Sequence, residues 1–160
     1  MNSAHVALEW ITNIISKHNI PYQIAGGLAV RAYGSTRALQ DIDIDIPEGE
    51  FAEIYEDVCA YVTFGPAWYK DEGWDIYLMT LNYHGQEIDI CGAYKSKIYN
   101  KLCGTWDKII TDFSKITYIN IDGLMLPVIP RDELIAYKKI LTRPVDWEDL
   151  AFLEQADNYD

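Results

Sequence analysis

GGLAVRAYGSTRALQDIDIDI, residues 26–46, sets a glycine pair ahead of a short helix-like stretch and a strand of alternating aspartate and isoleucine. Side chains along a strand alternate between faces, so Asp41, Asp43 and Asp45 share one face and Ile42, Ile44 and Ile46 the other. Three like charges on one face repel, and a carboxylate drawn out of water is costly without compensation. A hard divalent cation is the usual compensation, and Mg²⁺ is held by one or two carboxylates together with substrate phosphates. Gly26 and Gly27 supply what phosphates need, backbone N–H groups that approach closely at the start of a helix. Taken singly, an Asp/Ile strand also suits a solvated edge, and a Gly-Gly pair an ordinary turn. Their conjunction in one short unit points to a metal-bound triphosphate.

The rest of the composition narrows the class. A chain of 160 residues fits one compact domain spanning 1–160. An apolar content of 49%, with twelve Tyr and five Trp, excludes disorder. No apolar run approaches the roughly 20 residues of a membrane span, and the N-terminus has no basic and then apolar pattern, so a cytoplasmic protein with no membrane partner is expected. Cys59, Cys91 and Cys103 show no CxxC spacing, which argues against a zinc site or disulfide framework and for reduced, buried thiols. His5, His18 and His84 have no metal-ligand spacing.

The net charge of −12 bears on partners. Basic residues gather only in short clusters, Lys95/Lys97/Lys101 and Lys138/Lys139/Arg143. These suit the triphosphate of one nucleotide better than extended nucleic acid, with a local contact to a tRNA end left open. An acidic surface also suits a cationic acceptor such as an aminoglycoside, although many cytosolic proteins are simply acidic.

Helix and strand patterns alternate along the chain. Apolar residues at helical spacing predict a helix over 4–18, with Ser3 as N-cap and Asn19 and Pro21 as its stop. A strand at 22–25, a helix at 28–33 and the acidic strand at 41–46 follow, then a helix at 49–60. Strands at 74–82 and 86–91 meet at His84-Gly85, and strands at 116–121 and 124–129 flank the hairpin signal Asp122-Gly123. Helices at 131–141 and 146–156 close the chain, with Arg143-Pro144 between them. The five tryptophans read as core more than as a stacking platform. Trp68 and Tyr69, beside Gly65-Pro66, are loop candidates for an acceptor pocket.

With these pieces in place, the chain resembles the small GG…DxD nucleotidyltransferases of the DNA polymerase β superfamily, a group that includes lincosamide nucleotidyltransferases and toxin-associated bacterial relatives. The matching residues are Gly26-Gly27, Tyr33-Gly34, Arg37 and Asp41-Ile42-Asp43. EIDI at 87–90 is similar to that group's third-carboxylate strand, and PRDELIAYKKILTRPVDWEDLAFL at 130–153 to its C-terminal helical region. Where the family often has His and Thr, this chain has Tyr33 and Leu39.

The resemblance implies an α+β fold: a mixed, mostly antiparallel sheet flanked by helices, with the core over about 1–129 and C-terminal helices over about 130–160. It implies Mg²⁺ or Mn²⁺ on Asp41, Asp43 and Asp89, with an NTP as donor substrate. Strand position alone leaves Asp89 as an ordinary hairpin acid, and Asp75 is the other candidate for the third carboxylate. Gly26, Gly27, Arg37 and Lys138 are the nucleotide-binding candidates. Arg37 would contact phosphate or pair with a nearby aspartate, and Lys138 would reach the triphosphate or lie on a solvated helix face. The implied activity moves a nucleoside monophosphate to a hydroxyl acceptor, a small molecule such as an antibiotic being favoured. The rival readings are a non-catalytic member of a toxin–antitoxin pair and an enzyme modifying a protein or tRNA. Little chain remains for a separate acceptor domain, so a homodimer or a partner protein would complete the pocket.

Overall fold

A computed structural model describes residues 2–157. Its first helix, α1 (Ser3–Lys17), buries Ala7, Leu8, Ile11 and Ile15 at helical spacing. Its cap is Asn2 rather than Ser3, with the Asn2 side chain accepting from the His5 N–H at 2.8 Å. There follow β1 (Gln23–Ala25), α2 (Gly26–Ala32), β2 (Asp41–Ile46) and α3 (Phe51–Val58). Five strands come next: β3 (Val62–Lys70), β4 (Trp74–Tyr83), β5 (Gln86–Gly92), β6 (Ser96–Asn100) and β7 (Thr105–Ile109). The hairpin β8 (Thr117–Ile121) and β9 (Leu124–Val128) precedes α4 (Arg131–Leu141) and α5 (Pro144–Asp157).

The strands form one mixed sheet in the order β7-β6-β4-β5-β2-β1-β9-β8, with β3 alongside β4. Pairing is antiparallel except for β1 with β9 and β2 with β5. The fold is therefore α+β with a mostly antiparallel sheet flanked by helices, as the sequence leads one to expect. None of the described helices is long and apolar enough to cross a membrane.

The alternation in β2 decides which side is core. Ile42, Ile44 and Ile46 are fully buried and join Ile88 and Ile90 of β5 in one apolar cluster with α1 and α3. Burying an isoleucine side chain contributes roughly 1.5–3 kcal/mol, so a one-residue slip of β2 would lose three of these and drive three aspartates into the core. The acids are thereby pinned to the opposite face.

Several expectations need correction. Strands β3, β6 and β7 were not foreseen. In β3 the pairing is interrupted around Gly65 and Pro66 by register shifts, and its side chains are largely half-exposed, so no two-residue period marks it. Trp68, Trp106 and Trp147 are exposed rather than core, whereas Trp10 stacks on Tyr83 at 4.0 Å between ring centres. Cys59 and Cys103 are exposed, and only Cys91 is enclosed, where burial and the neighbouring aspartates raise its thiol pKa well above the usual value.

Candidate active site

The parallel pair β2–β5 sets the site. Asp41 lies opposite Glu87, Asp43 opposite Asp89, and Asp45 opposite Cys91. Carboxylate oxygens of Asp41, Glu87 and Asp89 all lie within 4.8 Å of one another. Asp43 sits between Asp41 and Asp45 along β2, so five acids stand on two adjacent strands. Thr80 on β4 hydrogen-bonds Asp89 Oδ1 at 2.7 Å and fixes that carboxylate from the other side.

Such crowding changes the acids. Burial raises the Asp43 pKa well above the carboxylate range, the charges of Asp41, Asp89 and Asp45 push it further, and Lys138 opposes them. Asp89 is raised to about 6 by burial, with Asp41 and Glu87 adding to the rise and the Thr80 hydrogen bond working against it. Asp45 also reaches about 6, from burial and the charge of Glu48, against the hydrogen bond from Gln23. A crowded cluster of oxygen donors fits a hard divalent ion, with Asp41, Glu87 and Asp89 placed to hold it and Asp43 beside them on β2.

The glycines are needed for a reason the sequence does not reveal. Gly26 has φ +58°, and a Cβ there would collide with the Asp43 carboxylate. A Cβ on Gly27 would stand 2.7 Å from Arg37 Nη2. The pair thus lets an acid and a guanidinium approach the backbone beside α2.

Arg37 lines the same cavity, yet its guanidinium is gripped by Asp149: Nε donates to Oδ1 at 2.8 Å and Nη2 to Oδ2 at 3.1 Å. Lys138 is 3% exposed, so it does not lie on a solvated helix face. Its ammonium is 2.9 Å from Asp149 and 3.2 Å from Asp146, and Asp146 also accepts from Arg143 Nε at 2.8 Å. Three cations and two buried acids therefore form one network along the cavity wall. Both acids come from α5, which explains why pairing within one helix could not reveal it.

The acidic cluster, the glycine pair and the cations Arg37, Lys138 and Arg143 line a cavity of about 470 Å³, within the range of small-molecule sites. Tyr69 reaches it from β3, whereas Trp68 does not and instead packs edge-on against Tyr77. Asp75 is outside the wall: Trp74, Ile76, Leu78 and Thr80 line the cavity, and Asp75 takes the alternate position, paired across strands with Lys70 and Lys97. Glu87 and Asp45 were not among the candidate ligands, although Asp45 was placed on the acidic face. Their signal was the two-residue period each shares with a chosen aspartate.

No protein-family model matches the chain, and no curated relative matches it by sequence. Solved structures do match in fold. TM1012 of Thermotoga maritima, assigned as a nucleotidyltransferase, superposes with a TM-score of 0.73 at 20% identity, covering 100% of this chain and 97% of that one. The lincosamide antibiotic adenylyltransferase LnuA, with lincomycin bound, gives 0.64 at 15% identity over 92% of this chain and 94% of its own. The antibiotic-resistance factor ANT(2'')-Ia gives 0.65 at 19% identity, over 98% and 85%.

Proposed function

We propose, on the premise that the chain has the nucleotidyltransferase fold and that its structural neighbours include antibiotic-modifying enzymes, that it transfers a nucleoside monophosphate from an NTP to a hydroxyl of a small-molecule acceptor. The observation that supports this most directly is the register of β2 on β5, which brings Asp41, Asp43, Glu87 and Asp89 together beside Gly26 and Gly27.

In this reading the triphosphate lies in the cavity lined by both the glycine pair and the acidic cluster. Asp41, Asp43, Glu87 and Asp89 would hold a divalent cation, Mg²⁺ or Mn²⁺, which when bound neutralises phosphate charge and favours ionisation of the acceptor hydroxyl. Arg37 and Lys138, held by Asp149, keep positive charge on the far wall. The acceptor oxygen attacks the α-phosphorus, a new P–O bond forms, and the bond to pyrophosphate breaks. The hydroxyl proton would pass to Asp89, a carboxylate of the same cluster fixed in place by Thr80. Positioning and charge do most of this work.

The test is incubation with each α-labelled NTP, Mg²⁺ and a panel of antibiotics, tRNA and cell proteins. Metal-dependent label on a small molecule is the expected result. Label on tRNA or protein would reassign the acceptor, and no label on any class would leave the chain a non-catalytic member of the fold.

A further inference from the structure

One acid on the catalytic face has no part in the transfer described above. Asp45 stands one strand repeat beyond Asp43 on β2, about 6–7 Å further along. Across the antiparallel pair β1–β2 it faces Gln23, whose Nε2 donates to Asp45 Oδ2 at 2.9 Å and approaches Thr111 Oγ1 at 3.4 Å. That donation fixes the amide's orientation, because the reverse would set the amide oxygen against a carboxylate. Gln23 Oε1 is then left with no hydrogen-bond partner among the described residues, on a side chain only 3% exposed. Gln23, Asp45 and Thr111 all line the cavity that contains Asp41 and Asp43. The cations nearby, Arg37, Lys138 and Arg143, are taken by Asp146 and Asp149.

This end of the cavity therefore holds a carboxylate with no cation partner among the described residues, beside a buried carbonyl oxygen that lacks a donor. A hydroxyl has one proton to give and would satisfy one of them. An ammonium has three and brings the missing charge. The rings of Trp74 and Tyr137, 5.9 Å apart, form an apolar wall for the carbon skeleton that carries it.

We propose that Asp45 and Gln23 form an ammonium subsite for the acceptor, so that the substrates of this site are amino alcohols whose amine lies about a ring's width from the reacting hydroxyl. The inference rests on the nucleotidyl-transfer reading and adds the acceptor's chemical class to it. Asp45 fixes the amine, and Asp89 meets the hydroxyl.

The experiment is calorimetric titration of the protein, loaded with Mg²⁺ and a non-hydrolysable ATP analogue, using matched ligands: glucosamine against glucose, and tobramycin against its fully N-acetylated form. In the wild type at least one amine should bind 10-fold or more tightly than its neutral partner. Asp45→Asn keeps an acceptor for Gln23 Nε2 and should erase that preference, leaving affinity for the ATP analogue within twofold. Gln23→Met, which retains the carboxylate, should weaken the amine several-fold. Equal binding within both pairs, or a preference that survives Asp45→Asn, overturns the subsite. Loss of analogue affinity in Asp45→Asn with no change in amine preference also overturns it, because the pocket would then belong to the nucleobase. Failure of the wild type to bind the analogue would instead remove the transferase reading on which the subsite depends.

Discussion

The Asp43 carboxylate fills the space into which a side chain on Gly26 would project. Gly26→Ala should therefore lose transfer activity by 100-fold or more. Its left-handed backbone alone costs an alanine about 1–2 kcal/mol, and the collision adds to that. Pairing it with Asp43→Ala should restore part of the stability and none of the activity. Thermal unfolding of both single variants and the double variant measures the coupling; strictly additive losses would mean the two residues do not press on each other.

Asp41→Ala and Asp43→Ala should each abolish transfer while leaving the apo fold as stable as the wild type or more so. Each removes one charge from a repulsive, poorly solvated group. Chemical denaturation and a transfer assay check the two halves. Near wild-type turnover in either variant would contradict the site.

Acid should stabilise the apo protein. Asp45 and Asp89 titrate at about 6, and Asp43 is also raised, so between the ordinary aspartate range and about pH 6 the native state holds more protons than the unfolded chain. Stability from these groups is complete below the unfolded pKa and is lost as pH rises through their native values. Melting temperature without metal should thus fall from pH 5 to pH 8 as far as these groups govern it, and Mg²⁺ with ATP should flatten the slope. At neutral pH, ATP with Mg²⁺ should raise the melting temperature and ATP with EDTA far less, since ligand at 100 times its Kd contributes about 2.7 kcal/mol. Equal shifts with and without metal would argue for nucleotide binding away from the acids.

The acidic strand and its outward face were legible because β2 keeps a strict two-residue period, and the same period exposes Glu87 and Asp89 together. The pairing of β2 with β5 was not legible. Those strands lie some forty residues apart, and a parallel register leaves no local turn to announce it. Lys138 read as a group for the triphosphate or as a solvated lysine, because its helix gives no hint of partners that come from α5. Gly65-Pro66 masked β3, since both residues ordinarily end strands.

Asp89→Asn should lower turnover at least 100-fold with little change in NTP affinity, because the loss falls on proton acceptance in the transition state. Asp75→Asn, outside the cavity wall, should retain near wild-type turnover. The reverse pattern would move the third carboxylate to Asp75 and refute the β2–β5 site.

Asp149→Ala leaves Arg37 and Lys138 sharing one fewer carboxylate in a buried setting, which ordinarily costs about 3–5 kcal/mol. Urea denaturation should show a lower midpoint with an unchanged slope. An unaltered midpoint would mean that the two cations find water instead.

The clasp between Arg37 and Asp149 joins residues 112 positions apart. A chain emerging from the ribosome can lay down the glycine pair and the acidic strand early, yet Arg37 has nothing to grip until α5 appears. Nascent or prematurely terminated chains would carry the acids without the completed cationic wall. Competence for chemistry would thus wait for α5, after every described strand of the sheet has been made.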